Sequence, residues 1–405
     1  MERESEAVTR RILTVNGGSS SLKSVVYEVA GQAPRRTYAA SVQRIGTGTA
    51  RFTVLAADGR VLADRQERLP DLAAAVRRWL DWLRDRDDVT SVDAVGHRIV
   101  DGGPDGDRPK RLTPALIDAL RRLAPLDPDH LPGQLAAVAA VQEAYPGVPQ
   151  VGCFDTTFHR TLPPYARRYP LPRALAARGI ERYGFHGLSY EYILSVLRGE
   201  DAAAARGRIL IAHLGGGASM AAVAGGVSVD TTMGLTPAGG LMMGTRCGDI
   251  DPGVLVRLLQ LDNLTADGLN DLVNHRAGLL GVSETSADMH ELLARAATDP
   301  RADEAVTLFC YIARKWLGAL LAVLGGADLV VFTGGIGEHA PRVRAAICEG
   351  LAFAGIRIDA ARNEANAPVI SVEGQPVAVR VIATNEEVMI ARHTLAVLGE
   401  NEDGR

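Results

Sequence analysis

The chain has 405 residues, 47% of them hydrophobic, and its 44 Lys and Arg residues against 48 Asp and Glu residues leave a formal net charge of -4. This hydrophobic content excludes a predominantly disordered chain, and the length indicates two domains, because one core rarely grows beyond about 250–300 residues. Binding to nucleic acid or to an anionic membrane surface requires clustered basic residues, and a weakly negative net charge gives no indication of them. Neither partner is therefore expected.

The compartment is predicted from the cysteines and the N-terminus. Cys153, Cys247, Cys310 and Cys348 are far apart and form no CxxC pair. The opening MERESEAVTR has no apolar signal core, and glycines and an aspartate interrupt the longest apolar stretch, residues 317–332. We therefore expect a reduced, cytoplasmic compartment and no membrane span.

The first part of the chain alternates between strand and helix patterns. ILTVNGG and SSSLKSVVYEV predict two strands around a Gly/Ser turn, and a polar-to-apolar alternation follows at residues 51–63. Helical spacing of apolar residues predicts an amphipathic helix over residues 72–83. SVDAVGHRIVDGGP predicts a buried strand that enters a Gly-rich loop, and Thr113 caps a predicted helix over residues 113–123.

A Pro-rich stretch, LAPLDPDHLPG, precedes a helix predicted to end near Tyr145, and VPQVGCFDTTFH predicts a strand with polar residues at its end. We place the first domain boundary near Gly152. RILIAHLGGGASMAAVAGGVSVDTT then repeats the strand, turn, strand pattern of the N-terminus, which suggests two related halves. A helical tract at residues 305–324 precedes DLVVFTGGIGEHAP, a predicted strand, Gly-rich turn and helix, and the chain closes with a strand, a polar turn and a terminal helix. This alternation predicts an α/β fold.

Three Gly-rich motifs follow predicted strands: NGGSSSLK, HLGGGAS and FTGGIGEHA. Small residues let backbone N–H groups approach a phosphate, and a lysine neutralises its charge. One such turn is more often only a turn, and none has the GxxxxGK[ST] spacing of a P-loop or opens an N-terminal unit with GxGxxG. Three together favour nucleotide binding.

Several polar residues lie at the ends of predicted strands or in glycine-rich loops. Arg98 and Arg246 have the chemistry to bind a carboxylate or phosphate bidentately, although a loop-bracing ion pair is about as good an explanation for either one. Asp155 and His159 at a strand end, and His186 in YGFHG, are residues of a kind that is more often a cap or a satisfied core group than a functional residue. Cys247, next to Arg246, is interpreted as a bystander thiol.

Taken together, these motifs resemble one family. NGGSSSLK, GHRIVDGG, FDTTFH, YGFHGLSY, HLGGGAS, MGLTP, GLMMGTRCGDIDPG, FTGGIGEHA and TNEEVMIAR occur in the order and at about the spacing found in acetate kinases, across residues 12–398. The resemblance implies an α/β fold of two duplicated actin-like (ribonuclease H-like) ββαβα-type domains that close on a central nucleotide cleft. It gives domains at residues 1–152 and 153–385, with a C-terminal helix, residues 386–405, that returns to the first domain.

The resemblance also implies roles for individual residues. The catalytic residues would be Asp155, His186, Arg246 and Arg98. The substrate would contact Arg98, Val100, Leu126, Phe185 and Pro237. The nucleotide would be surrounded by Lys23, Ser19, Ser21, His213, Leu214, Gly215, Gly216, Gly217, Asp288, Met289, His290, Gly335, Ile336, Gly337, Glu338 and His339. Asn16 and Glu386 would place the metal.

The implied activity is reversible, ATP-dependent phosphorylation of a short-chain carboxylate, acetate first, to acyl phosphate and ADP by in-line transfer. Mg²⁺ is the expected ion, with Mn²⁺ as the alternative, and a homodimer is expected. One alternative is a kinase that prefers propionate or butyrate. Another is a non-catalytic, nucleotide-gated regulator of the same superfold, although a regulator has no need for a substrate arginine pair.

The chain departs from the family pattern at several positions. LAPLDPDHLPG is one residue shorter than the family's LAPLHNPxNLxG and leaves its active-site histidine without a counterpart. We expect that histidine to be dispensable; His130 either substitutes for it in part or has a surface or capping role. Asp101 stands in place of a histidine, Gly216 in place of an asparagine, His290 in place of an arginine and His339 in place of an asparagine. These changes bear on nucleotide preference and acyl specificity more than on reaction class.

Overall fold

The computed structural model describes residues 9–30, 33–86, 89, 91–261 and 264–399. The chain forms two compact units, Met1–Thr157 with Asn385–Arg405, and Phe158–Thr384. The boundary predicted near Gly152 is too early. Gly152 pairs with His97 inside a parallel strand pair of the first unit, so the chain leaves that unit only after the strand has ended.

The first unit is built on one mixed sheet. Its strands are β1 (Arg10–Gly17), β2 (Ser21–Ala30), β3 (Ala33–Gln43), β4 (Ala50–Ala56), β5 (Val61–Glu67), β6 (Ala94–Ile99), β7 (Lys110–Arg111) and β8 (Gln150–Phe154). They are ordered β5-β4-β3-β2-β1-β6-β8-β7. β1 to β5 are joined as antiparallel neighbours, whereas β6 is parallel to both β1 and β8. The strand, turn, strand prediction at the N-terminus is confirmed by β1 and β2.

Three helices of this unit precede the crossing into the second. They are α1 (Leu72–Arg84), α2 (Pro114–Leu123) and α3 (Leu131–Ala144). The predicted amphipathic helix is confirmed as α1, which begins where the Asp71 carboxylate accepts from the backbone N–H of Ala74 at 2.7 Å. Its apolar face, including the fully buried Trp79, packs with the sheet in one hydrophobic core. Thr113 caps α2 as predicted, by accepting from the N–H of Leu116.

The second unit has its own sheet. Its strands are β9 (Arg208–Leu214), β10 (Ala218–Ala224), β11 (Val227–Thr231), β12 (Leu329–Thr333) and β13 (Ala378–Val381). Their order is β11-β10-β9-β12-β13, with antiparallel pairs up to β9 and parallel pairs beyond it. The central strands of the first sheet, β3-β2-β1-β6-β8, have the same order and directions. The two halves are therefore similar, and each has a third antiparallel strand that the predicted ββαβα pattern lacks.

The second unit also contains a series of helices. They are α4 (Pro164–Arg167), α5 (Arg173–Ala176), α6 (Gly187–Glu200), α7 (Pro252–Leu261), α8 (Ala266–His275), α9 (Gly278–Ser283), α10 (Met289–Arg295), α11 (Pro300–Leu324), α12 (Gly334–His339), α13 (Pro341–Cys348) and α14 (Ala360–Glu364). Short 3₁₀ helices occur at Gly103–Asp105, Ala124–Leu126, Thr157–Thr161, Ala204–Arg206 and Ala352–Ala354. The predicted Gly-rich turn after β12 is short: Gly334 has a left-handed φ of +77°, and α12 begins at that residue.

Helix α11 is the single helix, within the ranges described above, that is long and apolar enough to cross a membrane by length and composition alone. Asp299 caps its start and Gly325, with φ of +67°, ends it. One face of α11, including Phe309 and Leu317, is buried. The helix contacts α9, α10, α13 and the strands β9 and β10, so it forms part of the core of the second unit.

The chain ends on α15 (Glu386–Gly399), which packs on β1, β6 and β8 of the first unit. The approach is close at Gly96 of β6, where an added Cβ would lie 2.2 Å from Thr394 Oγ1 and 2.6 Å from Ile390 Cγ2. Only glycine lets the helix lie so near the sheet. Residues 400–405 of the helix predicted at residues 386–405 lie outside the described residues.

Candidate active site

The carboxyl ends of three neighbouring strands in the first unit carry two of the residues predicted for catalysis and one predicted to place the metal. Asn16 is at the end of β1, Arg98 is at the end of β6, and Asp155 follows β8. Because β1, β6 and β8 are mutually parallel neighbours, these ends meet at one edge of the sheet, where open α/β sheets commonly bind ligands.

Arg98 and Asp155 form an ion pair that is almost entirely buried. Nη2 of Arg98 donates to Asp155 Oδ2 at 2.6 Å, and Nε donates to both carboxylate oxygens at 3.0 and 3.1 Å. The Asp155 side chain is 0% exposed and that of Arg98 is 14% exposed. Burial alone would lower the pKa of Arg98, but the carboxylates of Asp155, Glu386 and Glu387 outweigh it and raise that pKa. The guanidinium therefore stays charged.

Asn16 joins this ion pair to two glutamates at the start of α15. Its Oδ1 accepts from Arg98 Nη1 at 3.2 Å, and its Nδ2 donates to Glu386 Oε2 at 2.8 Å and to Glu387 Oε1 at 2.9 Å. Lys23 is the direct partner of Asn16 in the β1–β2 pairing, so their side chains share one face of the sheet. The structure thus brings Asn16, Lys23, Arg98, Asp155 and Glu386 together.

The oxygen donors at this edge fit a magnesium site of the usual kind. Mg²⁺ is commonly held by one or two carboxylates and completes its shell with water and substrate phosphates. Glu386 and Glu387 supply two carboxylates that converge on one amide, with the Asn16 oxygen beside them. No group of three or more His, Cys, Asp or Glu residues suited to a metal occurs among the described residues, so the phosphates would have to contribute. Glu387 was missed from sequence, although the doublet in TNEE was a visible signal.

In the second unit, His186 and Arg246 approach the glycine loop that follows β9. His186 immediately precedes α6 with φ of +62°, a left-handed conformation that non-glycine residues seldom adopt and that is typical of functional sites. A Cβ placed on Gly217 would lie 3.3 Å from His186 Nε2 and 3.7 Å from Arg246 Nη1. The glycine therefore leaves open a space that two nitrogen groups line, and such a space suits an anion.

Three hydrogen bonds to backbone carbonyls hold Arg246 and this loop in place. Arg246 Nη1 donates to the Pro237 carbonyl at 3.1 Å, so the predicted catalytic arginine and the predicted substrate residue are neighbours. Gly244 N–H donates to the Gly216 carbonyl, and Gly215 N–H to that of Gly217. The Arg246 segment and the glycine loop after β9 are thus joined through backbone hydrogen bonds.

The residues predicted to bind nucleotide are in very different environments. His213 is half-buried, and its ring stacks on that of His186 with centroids 4.2 Å apart. A Cβ on Gly215 would lie 4.0 Å from the backbone nitrogen of Gly335, so the glycine segments after β9 and β12 also meet. His290 and His339 are exposed.

Three other predicted nucleotide residues have structural explanations. Asp288 caps α10 by accepting from the N–H groups of His290 and Glu291, and the Met289 side chain is buried. Glu338 Oε1 accepts from the backbone N–H groups of Gly334 and Thr384. In this structure the three side chains stabilise the local backbone and core, and their contact with the nucleotide stays a prediction.

The residues predicted to bound the acyl chain belong to different units. Val100 and Leu126 are in the first unit and Phe185 and Pro237 in the second. Val100 is buried, and its N–H donates to Gln134 Oε1 at 3.0 Å, while Gln134 Nε2 donates to the Gly17 carbonyl at 3.1 Å. Gln134 therefore connects the Val100 segment to the Gly/Ser turn between β1 and β2, a link for which the sequence offers no signal.

The shortened loop contains a buried acid–histidine pair. His130 Nδ1 lies 2.7 Å from Asp127 Oδ1, the two side chains are 8% and 5% exposed, and the imidazole makes no cap bond at the start of α3. The surface and capping roles considered for His130 are therefore both wrong. Asp101 is also buried; burial, with the charge of Asp127 adding, raises its pKa to about 6.

Comparison with known proteins agrees with these features. Residues 11–392 match the model of the family described as the acetokinase family. The acetate kinase of Rhizobium meliloti is 44% identical over 393 residues, which cover 96% of this chain and 98% of that protein. Two crystal structures each cover 96% of this chain and 100% of their own: an acetate kinase of Porphyromonas gingivalis, with TM-score 0.84 and 36% identity, and a propionate kinase of Francisella tularensis subsp. tularensis SCHU S4, with TM-score 0.87 and 30% identity.

Proposed function

This chain belongs to the acetokinase family, and we propose that it is an acetate kinase that transfers a phosphoryl group reversibly between ATP and acetate. Apart from the family membership, the proposal is supported by the buried Arg98–Asp155 pair, which Asn16 connects to Glu386. This arrangement holds a permanently charged guanidinium at the edge of a sheet where ligands commonly bind.

Arg98 is proposed to hold the substrate carboxylate or the phosphoryl group. Of the five N–H groups of a guanidinium, Nε, one of Nη1 and one of Nη2 are engaged by Asp155 and Asn16. Among the described residues, one N–H on each terminal nitrogen has no hydrogen-bond acceptor and is proposed to bind an oxygen of the substrate. Asp155 is then an orienting group. No strong general base is required, because a carboxylate with a pKa near its reference value of about 4 is already ionised at neutral pH.

His186 and Arg246 are proposed to donate to the oxygens of the phosphoryl group in flight. In-line phosphoryl transfer spreads charge over the equatorial oxygens, so its catalysis consists mainly of positioning and electrostatic stabilisation. The space that Gly217 leaves beside His186 Nε2 and Arg246 Nη1 supports this role. Mg²⁺, bound by Glu386, Glu387 and Asn16 together with phosphates, would neutralise charge on the nucleotide.

The test is hydroxamate trapping of acyl phosphate with ATP, Mg²⁺ and a panel of C2 to C4 acids. We expect turnover with the highest kcat/KM for acetate, and no product when EDTA replaces Mg²⁺. An enzyme that forms no acyl phosphate from any acid would contradict the proposal. A higher kcat/KM for propionate would favour the second candidate, a propionate kinase, which the similarity to the Francisella protein supports.

We also propose a homodimer. Helix α7 has the composition of a buried helix, yet Val254, Val256 and Leu259 are 46%, 52% and 41% exposed within one chain. A second copy of the chain would cover such a surface. Analytical ultracentrifugation should give twice the chain mass, and Val256→Glu should give a monomer; a monomeric wild type would refute this part.

The cytoplasmic compartment is proposed as well. None of the four cysteines is in a disulfide, and burial raises the pKa of Cys310 to about 11 and that of Cys348 to about 12, which keeps these two thiols protonated. Cysteines outside disulfides are typical of reducing compartments.

A further inference from the structure

A buried serine and a buried tyrosine accompany His186 in the second unit. Ser219 Oγ, on β10, lies 2.8 Å from His186 Nδ1, and the hydroxyl of Tyr190, on α6, lies 2.5 Å from the same Ser219 oxygen. Ser219 and Tyr190 are both 0% exposed. One serine oxygen thus stands between a phenol and the imidazole that we assign to phosphoryl transfer.

His213, stacked on His186, provides an internal comparison. Its Nδ1 is also 2.8 Å from a serine hydroxyl, that of Ser189. Ser189, however, donates its proton to Thr384 Oγ1 at 2.9 Å, so its oxygen is left to accept from the imidazole. His213 therefore has its proton on Nδ1. A serine beside Nδ1 does not determine the tautomer by itself; the third group in each chain of hydrogen bonds does.

At His186 the third group is the phenol of Tyr190, and it reverses the direction in which the serine hydroxyl donates its hydrogen bond. With a pKa of about 10, a phenol is a far stronger acid than an aliphatic alcohol, so the Tyr190 hydroxyl donates to Ser219 Oγ. The single proton of Ser219 is then directed to Nδ1 of His186, which must accept it. The imidazole proton consequently resides on Nε2, because the partner of one ring nitrogen decides the state of the other.

We propose that Tyr190 and Ser219 are positioning residues that keep the proton of His186 on Nε2. This rests on the proposed role of His186 in phosphoryl transfer. Nε2 is the nitrogen that lies 3.3 Å from the Cβ position of Gly217, in the space it shares with Arg246. With Nε2 protonated, the imidazole donates toward that space, which the guanidinium of Arg246 also lines. With Nδ1 protonated, a lone pair would face the phosphoryl oxygens and repel them.

Tyr190→Phe tests the proposal with the smallest change. The loss of one neutral hydrogen bond of about 1 kcal/mol corresponds to a fall in kcat of about 5-fold, with KM for ATP and acetate unchanged. Ser219→Ala, which removes the donor to Nδ1, should lower kcat further. The matched control is Tyr192→Phe, two residues along α6, whose hydroxyl takes no part in these bonds and which should keep the kcat of the wild type. Circular dichroism and thermal unfolding check that each variant folds.

A double-mutant cycle separates positioning from a merely structural role. In a His186→Ala background, Tyr190→Phe should leave the residual kcat unchanged, because no tautomer remains to be set. A further fall of the same 5-fold in that background would overturn the proposal. So would a wild-type kcat for Tyr190→Phe in the native background.

NMR of protein labelled with ¹⁵N-histidine provides a test that does not require activity. The chain has 9 histidines, and the His186→Ala spectrum identifies the signals of His186 by difference. We expect the proton of His186 on Nε2 in the wild type and a shift toward Nδ1 in Ser219→Ala. A wild-type proton on Nδ1 would refute the proposal even in an active kinase. A wild type without kinase activity but with the proton on Nε2 would instead refute the proposed function and leave the tautomer assignment standing.

Discussion

Asp155→Asn should destabilise the first unit because it removes the charge that accompanies buried Arg98. The substitution keeps the shape and one neutral acceptor but leaves the guanidinium, 14% exposed, without its nearest anion. Breaking a buried ion pair typically costs about 3–5 kcal/mol. Glu386 and Glu387 still attract Arg98, and the amide oxygen retains one hydrogen bond. We therefore expect the free energy of unfolding to fall by about 2–3 kcal/mol, just below the usual range for a broken buried ion pair.

Tryptophan fluorescence makes the measurement specific to this unit. The chain has 3 tryptophans, and Trp79 and Trp82 are stacked on each other in the first unit with centroids 5.3 Å apart. In a Trp316→Phe background these two alone report urea unfolding. With an m-value of about 2 kcal/mol/M, the midpoint should fall by about 1 M at unchanged slope.

Asp64→Asn is the matched control in the same unit. Its carboxylate also binds an arginine through two hydrogen bonds, at 2.9 and 2.7 Å, but the Arg51 and Asp64 side chains are 55% and 42% exposed. Water and salt screen such pairs, so its midpoint should hardly move. If Asp155→Asn had the urea midpoint of the wild type, burial would not make this ion pair important. The same would follow if the midpoint fell equally in Asp155→Asn and Asp64→Asn.

Three further predictions concern transfer, specificity and pH. Arg246→Lys should unfold at the temperature of the wild type, but its kcat should fall by about 10²–10³-fold, because lysine cannot bind two oxygens at once as a guanidinium does. A near-normal kcat would show that Arg246 has no catalytic role. Val100→Ala should raise the ratio of kcat/KM for propionate to that for acetate by about 5-fold or more, and an unchanged ratio would make Val100 a core residue only. The pKa of Asp101 is raised from 3.8 to about 6, so the folded state holds the proton more tightly and loses stability as pH rises from about 4 to 6. Asp101→Asn should abolish that loss, about 2 kcal/mol between pH 4 and pH 7, in urea titrations at these two pH values; parallel pH profiles for the two proteins would contradict it.

Much of the fold could be predicted because its signals are local. The strand and helix periods, the Thr113 cap and the repeated strand, turn, strand pattern are each contained in a short stretch of sequence, and β1, β2, α1 and α2 follow them. Pairing across the sheet could not be predicted in this way. The chain divides after Thr157, slightly beyond the boundary predicted near Gly152, because the pairing of Gly152 with His97 cannot be read from its neighbours in sequence.

The candidate site was predicted less completely, for the same physical reason. Motifs indicated which residue types were present, but hydrogen bonds between distant segments determine what each side chain does. Asp288, for example, has the chemistry to bind a nucleotide, yet caps its own helix. Gln134 lies outside the quoted motifs and Ser219 closes HLGGGAS without an assigned role, and only the fold places them beside Val100 and His186.

The shortened loop shows how the structure changes the design of an experiment. The sequence suggests that a histidine inserted between Leu126 and Asp127 would restore what the family loop contains. In the structure, however, Asp127 already binds the buried His130, and its other oxygen, Oδ2, is buried without a hydrogen-bond partner among the described residues. An insertion would therefore disturb a buried acid–histidine pair, and with it the electrostatic environment of Asp101, while it adds an imidazole. A gain of activity after insertion would not by itself identify the missing histidine as the cause, because the ionisation of Asp101 would change as well. His130→Gln leaves the loop length unchanged and alters only the partner of Asp127, so it isolates the contribution of the imidazole that this chain has.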